Sequence, residues 1–585
     1  MSVIPESLRT AVETWIAEDP DPSTREELRS LLEGGERAEL EERFQGPLAF
    51  GTAGLRGLLG GGPHRMNRAV VLRTTAGLCA WLLEQIPDAA ARGICVGYDG
   101  RRMSAELADD VASVVSGAGI VARVFTDFAP TPLVGFSLLE RGAAAAVVIT
   151  ASHNPPEYNG YKVFWANGAQ IIPPHDEGIA ARIAAVGPLE KIPRCSTEEA
   201  SERGLREELG ASMQRHYLDY VGSLATHRER PEGFGIAYTA MHGVGAPYVL
   251  RALEEARFAR IASVPSQEQP DGTFPTVAFP NPEEAGALDL VLALARAEDA
   301  ELVLANDPDA DRLAVAVRDA AGEYVQLNGN ELGALMGHFL LERASASSAG
   351  ASDARQPLVL CTIVSSPMLE AIAAAHGARF EQTLTGHKWI HNRAMQLEAE
   401  SDVRFVFGYE EALGYAPGSA VRDKDGIASA ILVADMAAYH RAQGQSLLEV
   451  LEEAYRRYGL FLSRQVSKVL PGGEGAAQIA ASMRRVRAEP PTEIAGIPVR
   501  AFADLQLAQR RLADGRIEAI ELPPSDVVSI ELEGGHRIML RPSGTEPKLK
   551  YYFDVRLELE PSEPLGAARG RGEALLDRLV ASFDS

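Results

Sequence analysis

Three aspartates at alternate positions, Asp307, Asp309 and Asp311 in the run NDPDADRL from Asn306 to Leu313, are the residues best suited to chemistry. In an extended loop, alternation turns all three carboxylates to one side. Carboxylates so close repel one another unless a cation neutralises them, and hard oxygen donors select Mg²⁺ or Ca²⁺ over zinc. An EF-hand loop also opens D-x-D-x-D, but it needs glycine next and a bidentate glutamate at the twelfth position. Those places hold Arg312 and Arg318, so the calcium-loop reading fails. Arg312, directly beside the carboxylates, could pair in bidentate fashion with phosphoryl oxygens.

The second such stretch is AAAAVVITASHNPPEYNGYK, from Ala143 to Lys162. Its apolar opening, Ala143 to Ile149, reads as a buried strand. Pro155 and Pro156 forbid its continuation, so Ser152 is held on a loop at a strand's carboxyl end, where open α/β sheets present ligand groups. Further upstream, FGTAGLRGL from Phe50 to Leu58 sets Arg56 among glycines, a density that lets backbone approach a ligand and offers N–H groups to an anion. It is neither a Walker A loop nor a G-x-G-x-x-G turn, which leaves a nucleotide reading without support. In GYEEALGY, Glu410 and Glu411 could accept hydrogen bonds from vicinal sugar hydroxyls. In TGHKW, His387 or Lys388 could carry a proton or touch a substrate. In RPSGTEP, Arg541, the hydroxyls of Ser543 and Thr545 and the backbone of Gly544 compose an oxyanion nest.

The elements that must position these residues repeat along the chain. Three strand-like runs ending in polar loops occur in each of three successive segments. The first holds GICVGYDGR, VARVFTDFAPTP and AAAAVVITASHNP; the second holds FGIAYTAMHGVG, FARIASVPSQEQPDG and AELVLANDPDADR; the third holds PLVLCTIVSSP, ARFEQTLTGHKW and VRFVFGYEEALGY. Helical stretches intervene, and strand–helix–strand alternation predicts largely parallel sheets covered by helices. The expected fold is α/β: three similar mixed α/β/α sandwich domains and a C-terminal α+β domain, around one central cleft. Expected boundaries are a two-helix arm over 1–46, domains over 47–210, 211–328 and 329–458, and a last domain over 459–585. Arg203 to Thr226 reads as a linking helix, and Arg343 to Gln356 as a low-complexity loop.

TASHNPP followed by NGYK resembles the phosphoserine loop of the α-D-phosphohexomutase superfamily, the phosphoglucomutases and phosphomannomutases. Five motifs match in the family's order between residues 50 and 550, and GTAGLRG, DPDADR, TGHKW and YEEALGY are most similar to its long phosphoglucomutase and phosphopentomutase branch. The resemblance implies that Ser152 carries the exchanged phosphoryl group, that Arg56 faces it, and that Asp307, Asp309 and Asp311 hold one Mg²⁺ with Ser152 completing the protein ligands. It further implies a sugar-binding loop at Glu410, contacts from Thr385, Gly386 and His387, and a grip on the second phosphate by Arg541, Ser543, Gly544 and Thr545. The family's sugar loop carries serine where this chain has Ala412, which puts the sugar in doubt. The implied reaction is the interconversion of glucose 1-phosphate and glucose 6-phosphate, with glucose 1,6-bisphosphate as intermediate and activator. A phosphopentomutase is the alternative, mannose phosphates are a possible second specificity, and a non-catalytic sugar-phosphate sensor is the alternative of another class. His153, Lys162 and Lys388 are the unranked candidates for general base.

Composition narrows the partners. A formal net charge of −24 argues against nucleic acid or an anionic membrane, both of which require a basic footprint. It is compatible with small sugar phosphates if arginine and lysine converge locally. The four cysteines lack C-x-x-C spacing and read as buried thiols of a reducing cytoplasm. No run has the length of a membrane span and the N-terminus lacks signal-peptide patterning, so a cytoplasmic monomer or weak homo-oligomer is expected.

Overall fold

The run Ala145–Ile149 becomes a central strand in which every residue is buried. Since alternate side chains point to opposite faces, the sheet around it is covered on both sides. The computed structural model describes residues 4–52, 54–227, 229–348, 355–470, 473–542, 548–560 and 562–584. The chain divides into two compact units, Met1–Leu327 with Ala412–Gln443, and Asn328–Glu411 with Gly444–Ser585.

The first unit holds two mixed sheets. One runs in the order Leu55–Leu58, Tyr158–Trp165, Ala145–Ile149, Ile94–Tyr98, Ala122–Phe125, Arg206–Leu209. Its last four strands are parallel and its first two antiparallel. The other places Leu302–Ala305, Gly235–Thr239 and Arg260–Ser263 in parallel and adds Ala314–Arg318 and Tyr324–Leu327 as an antiparallel extension. In the second unit Arg379–Thr383, Gln356–Thr362 and Val403–Glu410 run parallel. Its other sheet is antiparallel throughout and carries the helix Leu565–Asp584 against Leu460–Val469 and Lys548–Leu557. The chain is thus α/β, with three parallel or mixed sheets and a C-terminal α+β module.

Three expectations need correction. The N-terminal arm has three helices, Glu6–Glu18, Pro22–Gly34 and Arg37–Arg43, joined through Val12, Leu28 and Leu40. Gly35, at φ +72°, ends the second helix and lets the third begin. Arg203 to Thr226 contains an edge strand, Arg206–Leu209, before the helix Ala211–Ser223. Gly210 separates them, and the strand completes the first sheet beside Ala122–Phe125. The low-complexity segment is helical through Ser348, because alanine and serine prolong the helix that starts at Gly329; its residues 349–354 lie outside the described residues. All four cysteines are free and buried. Among the described residues no helix is long and apolar enough to cross a membrane.

Candidate active site

Ser152 follows the strand Ala145–Ile149 by three positions and adopts φ +51°, a left-handed conformation that costs a non-glycine residue about 1–2 kcal/mol. Three groups hold it there. The Thr150 hydroxyl accepts from the Ser152 N–H at 2.8 Å and donates to Asp99 Oδ2 at 2.6 Å. The Arg101 guanidinium donates to the carbonyls of Ser152, Asn154, Pro155 and Tyr158. Asp99, fully buried, faces Arg101 Nε at 3.4 Å and accepts from the Ser104 hydroxyl. The serine hydroxyl is thereby directed at Asp307 Oδ2, to which it donates at 2.8 Å, with His153 Nδ1 at 3.1 Å on the same oxygen.

The three aspartates come together as expected, but by a different route. Ala310 takes φ +56° and its N–H bonds Asp307 O at 2.9 Å, so a tight turn rather than extended alternation gathers the carboxylates. The turn is packed closely: a Cβ at Gly243 would meet Pro308 Cα at 2.4 Å, and one at Gly426 would meet the Arg312 carbonyl at 2.3 Å. All three carboxylates are buried, with ligand oxygens within 4.8 Å of one another. Lys162 Nζ bridges Asp309 Oδ2 at 2.7 Å and Asp311 Oδ2 at 2.8 Å. Lys424 reaches Asp311 at 3.3 Å, and Thr131 donates to Asp309 at 2.6 Å. Burial and the two neighbouring carboxylates push the Asp307 carboxyl well above its ordinary range. Asp311 is held low against burial by Lys162, Lys424 and Arg312, and Lys162 is held up against burial by Asp309 and Asp311. Asp309 Oδ1 and Asp311 Oδ1 are buried without a hydrogen-bond partner among the described residues. Buried carboxylate oxygens left bare in this way fit a hard divalent cation.

Arg56 donates to Asn154 Oδ1 at 2.9 Å, on the serine loop. Arg312 donates its backbone N–H to Asp307 Oδ1 at 3.0 Å, and its guanidinium lies 3.4 Å from Glu283. The His153 imidazole is pushed well below its ordinary range by burial, then by the Arg312 and Arg56 cations. The glycine-rich run around Arg56 serves packing more than anion capture. The N–H groups of Gly54, Gly60 and Gly61 are taken by Gly51 O, Met66 O and Glu27, and a Cβ at Gly54 would meet the Tyr161 carbonyl at 1.9 Å.

The remaining sequence candidates, apart from Ala412, belong to the second unit. Thr385 and Gly386 precede the helix His387–Glu400; His387 is buried and Lys388 half-buried. Glu410, half-buried, ends the strand Val403–Glu410, and Glu411 accepts from the hydroxyls of Thr362 at 3.2 Å and Ser365 at 3.4 Å. Arg541 stands on the strand Arg537–Pro542. Around these loops Ile363, Val364, Leu384 and Trp389 pack on Leu505, Val527, Met539 and Tyr552 of the antiparallel sheet. Ser543, Gly544 and Thr545 lie outside the described residues, and Ala412 is a half-buried residue of the first unit.

The chain matches the models of phosphoglucomutase/phosphomannomutase α/β/α domains I, II and III over residues 47–189, 215–322 and 328–458, and of the C-terminal domain over 484–560. It belongs to the phosphoglucomutase/phosphomannomutase family. Phosphopentomutase of Mus musculus is 36% identical over 564 residues, covering 94% of this chain and 90% of the relative. Glucose 1,6-bisphosphate synthase of Homo sapiens is 33% identical over 589 residues, covering 98% and 94%. In fold, the chain is similar to the open form of the phosphoglucomutase pp63/parafusin from Paramecium, with TM-score 0.64 and 16% identity over 92% of this chain and 95% of that one. The chain is accordingly an isomerase of the intramolecular phosphotransferase kind.

Four residues of this family member that the motif reading did not assign also touch the site: Asp99, Arg101, Thr131 and Lys424. A signal for the first two was present in YDGRR, a charged pair where a strand gives way to a helix. Lys424 stands in the similar run RDKDG before the helix Gly426–Ala442.

Proposed function

We propose that the chain is a phosphoserine-dependent sugar-phosphate mutase, interconverting glucose 1-phosphate and glucose 6-phosphate. One observation carries this reading: the Ser152 hydroxyl, held in a left-handed turn, is 2.8 Å from one of three buried, clustered aspartates. In the resting state Ser152 carries a phosphoryl group. Its Oγ–P bond breaks as the substrate's free hydroxyl attacks phosphorus, producing glucose 1,6-bisphosphate and free Ser152; the bisphosphate turns over and its other phosphoryl group returns to Ser152. The four oxygens of Ser152, Asp307, Asp309 and Asp311 would hold Mg²⁺, which when bound neutralises charge spreading over the transferring group.

Each nearby side chain has a separate task. Arg56 and Arg312 flank the phosphoryl oxygens, while Lys162 and Lys424 balance Asp309 and Asp311. His153, whose Nδ1 lies 3.1 Å from the serine oxygen, is the candidate acceptor placed nearest the attacking hydroxyl's proton. Lys162, held as a cation between two carboxylates, is poorly suited to that task. Glu410, with Thr385, Gly386 and His387, addresses the sugar, and Arg541 with Ser543, Gly544 and Thr545 grips the phosphate that stays.

A second reading, phosphopentomutase on ribose 1-phosphate and ribose 5-phosphate, is favoured by Ala412 and by the name of the Mus musculus relative. One coupled assay with Mg²⁺ and a trace of glucose 1,6-bisphosphate separates the two. Higher kcat/KM on glucose 1-phosphate supports the hexose reading, whereas higher kcat/KM on ribose 1-phosphate replaces it with the pentose one. Ser152→Ala is expected to abolish turnover on both with folding intact; turnover near that of the parent would refute the phosphoserine mechanism.

A further inference from the structure

Three helices of the second unit bring a different set of donors together. His338 and Glu342 stand four residues apart on the helix Gly329–Ser348, so they share one face. His376 follows the last residue of Met368–Ala375, and Tyr458 is the last residue of Leu447–Tyr458. His338 Nδ1 faces His376 Nε2 at 3.2 Å, and the Tyr458 hydroxyl lies 3.4 Å from both nitrogens. On the other side of the same ring, His338 Nε2 lies 3.4 Å from Glu342 Oε1.

We propose that His338 Nδ1, His376 Nε2 and the Tyr458 oxygen form a second metal site, one for Zn²⁺, with Glu342 orienting the His338 ring. The distances are the first reason. Tetrahedral zinc with bonds of about 2.0–2.1 Å separates neighbouring ligand atoms by about 3.3–3.4 Å, and the three edges measured here are 3.2, 3.4 and 3.4 Å. As hydrogen bonds the same contacts are long, lying at or beyond the upper end of the usual range of about 2.7–3.2 Å. Donor chemistry is the second reason. Two imidazoles are borderline donors that suit zinc, with the Tyr458 oxygen as a weaker third ligand, whereas the all-carboxylate cluster of the other unit suits a hard ion. The Glu342 contact is the third, since a metal-bound imidazole characteristically offers its other N–H to a carboxylate. His338 and His376 are half-buried rather than fully buried, so the site has access to solvent and a water can complete the tetrahedron. No step of phosphoryl transfer uses these residues. Their metal would tie the ends of two helices to the middle of a third.

The test uses the full chain, stripped with chelator and returned to millimolar Mg²⁺ so that the carboxylate cluster is occupied. Zn²⁺ is titrated calorimetrically, and Co²⁺ serves as the spectroscopic probe. One equivalent of Zn²⁺ per chain and the visible bands of tetrahedral Co²⁺ are expected. His376→Gln is expected to remove the bands and weaken Zn²⁺ at least 100-fold. Glu342→Gln, at an exposed position that cannot endanger the fold, is expected to weaken it about 10–100-fold. Asp307→Asn should leave both signals in place. The proposal is overturned if the parent takes up no Zn²⁺ in the presence of Mg²⁺, if both Gln variants bind as tightly as the parent, or if Asp307→Asn abolishes the signals.

Discussion

Replacing Arg101 by methionine tests whether the serine loop is held by its clamp. Methionine keeps an unbranched apolar side chain but loses the cation over Phe274, whose ring centroid lies 4.9 Å from the guanidinium carbon. It removes every donor aimed at the carbonyls of Ser152, Asn154, Pro155 and Tyr158 and the cation beside Asp99. Both charged side chains are buried, at 1% and 0% exposure, and breaking such a pair costs about 3–5 kcal/mol. Asp99 keeps the hydroxyls of Thr150 and Ser104 and the Arg101 backbone N–H as donors, and burial already raises its pKa against the pull of Arg101. It can therefore take up a proton, which points to the lower end, about 3 kcal/mol. The kinetic effect is larger than the stability loss alone implies. Without the clamp the left-handed turn relaxes, and a shift of about 1 Å in a reacting oxygen costs about 100-fold in rate. Steady-state kinetics on glucose 1-phosphate and ribose 1-phosphate should show kcat falling by that order with KM little changed, because the side-chain bonds of Arg101 go to the serine loop and its neighbouring strand. Arg101→Lys, which keeps the charge but has fewer donors in a different geometry, should recover part of kcat. A variant that is less stable yet turns over at the parental kcat would refute the positioning argument.

Lys162→Met leaves Asp309 and Asp311 without their bridging cation; in chelator its thermal midpoint should fall well below the parent's, and Mg²⁺ should raise it by more than it raises the parent's. Equal midpoints in chelator would contradict the charge balance described for the site. Burial pushes the thiols of Cys79 and Cys361 up to about 12 and that of Cys95 to about 11, so none of the three should be alkylated at pH 8 in the native protein, and all should be after unfolding, as mass spectrometry would report. Asp425, which caps the helix Gly426–Ala442 and accepts from Tyr217 at 2.7 Å, has its carboxyl raised by burial from 3.8 to about 6. The native state thus binds this proton more tightly than the unfolded chain, so the contribution is full below pH 3.8 and lost as pH rises through 6, a difference of about 3 kcal/mol. Asp425→Asn should accordingly gain on the parent in thermal stability at pH 8, with the advantage shrinking toward pH 4; a constant difference across that range would contradict it.

The motifs were legible because each is a short run whose chemistry is carried by neighbours in the chain. DPDADR announces a cluster of carboxylates whatever its backbone does, and the step from an apolar strand to Ser152 and two prolines fixes where the serine is presented. The shape of the aspartate turn was not legible in the same way. Alternation predicted an extended loop, but Ala310 in the left-handed region closes it, and Gly243 and Gly426, far away in sequence, leave the room it needs. Asp99 and Arg101 escaped for a related reason. A buried ion pair and an ordinary surface pair have the same spelling, and only the fold delivers Arg101 to carbonyls more than fifty residues onward.

Charge balance is the part of the site that a reading of motifs is least able to supply. The chain as a whole carries −24, a value that says nothing of where its cations converge. Within the first unit three aspartates meet Lys162 from the first sheet, Arg312 from their own turn and Lys424 from the segment before Gly426–Ala442, with Arg56, on the strand Leu55–Leu58, bonded to Asn154 of the adjoining serine loop. Lys424 is unremarked in its own neighbourhood, and Lys162 acquires its charge-balancing part only from the carboxylates it is folded against. Of the three aspartates, Asp307 is the one with no lysine beside it, and it is also the one that receives the Ser152 hydroxyl and whose carboxyl is pushed up by burial and its neighbours. The deficit of positive charge is therefore concentrated at the oxygen where phosphoryl transfer would begin, which is where an added divalent cation would do most to restore the balance.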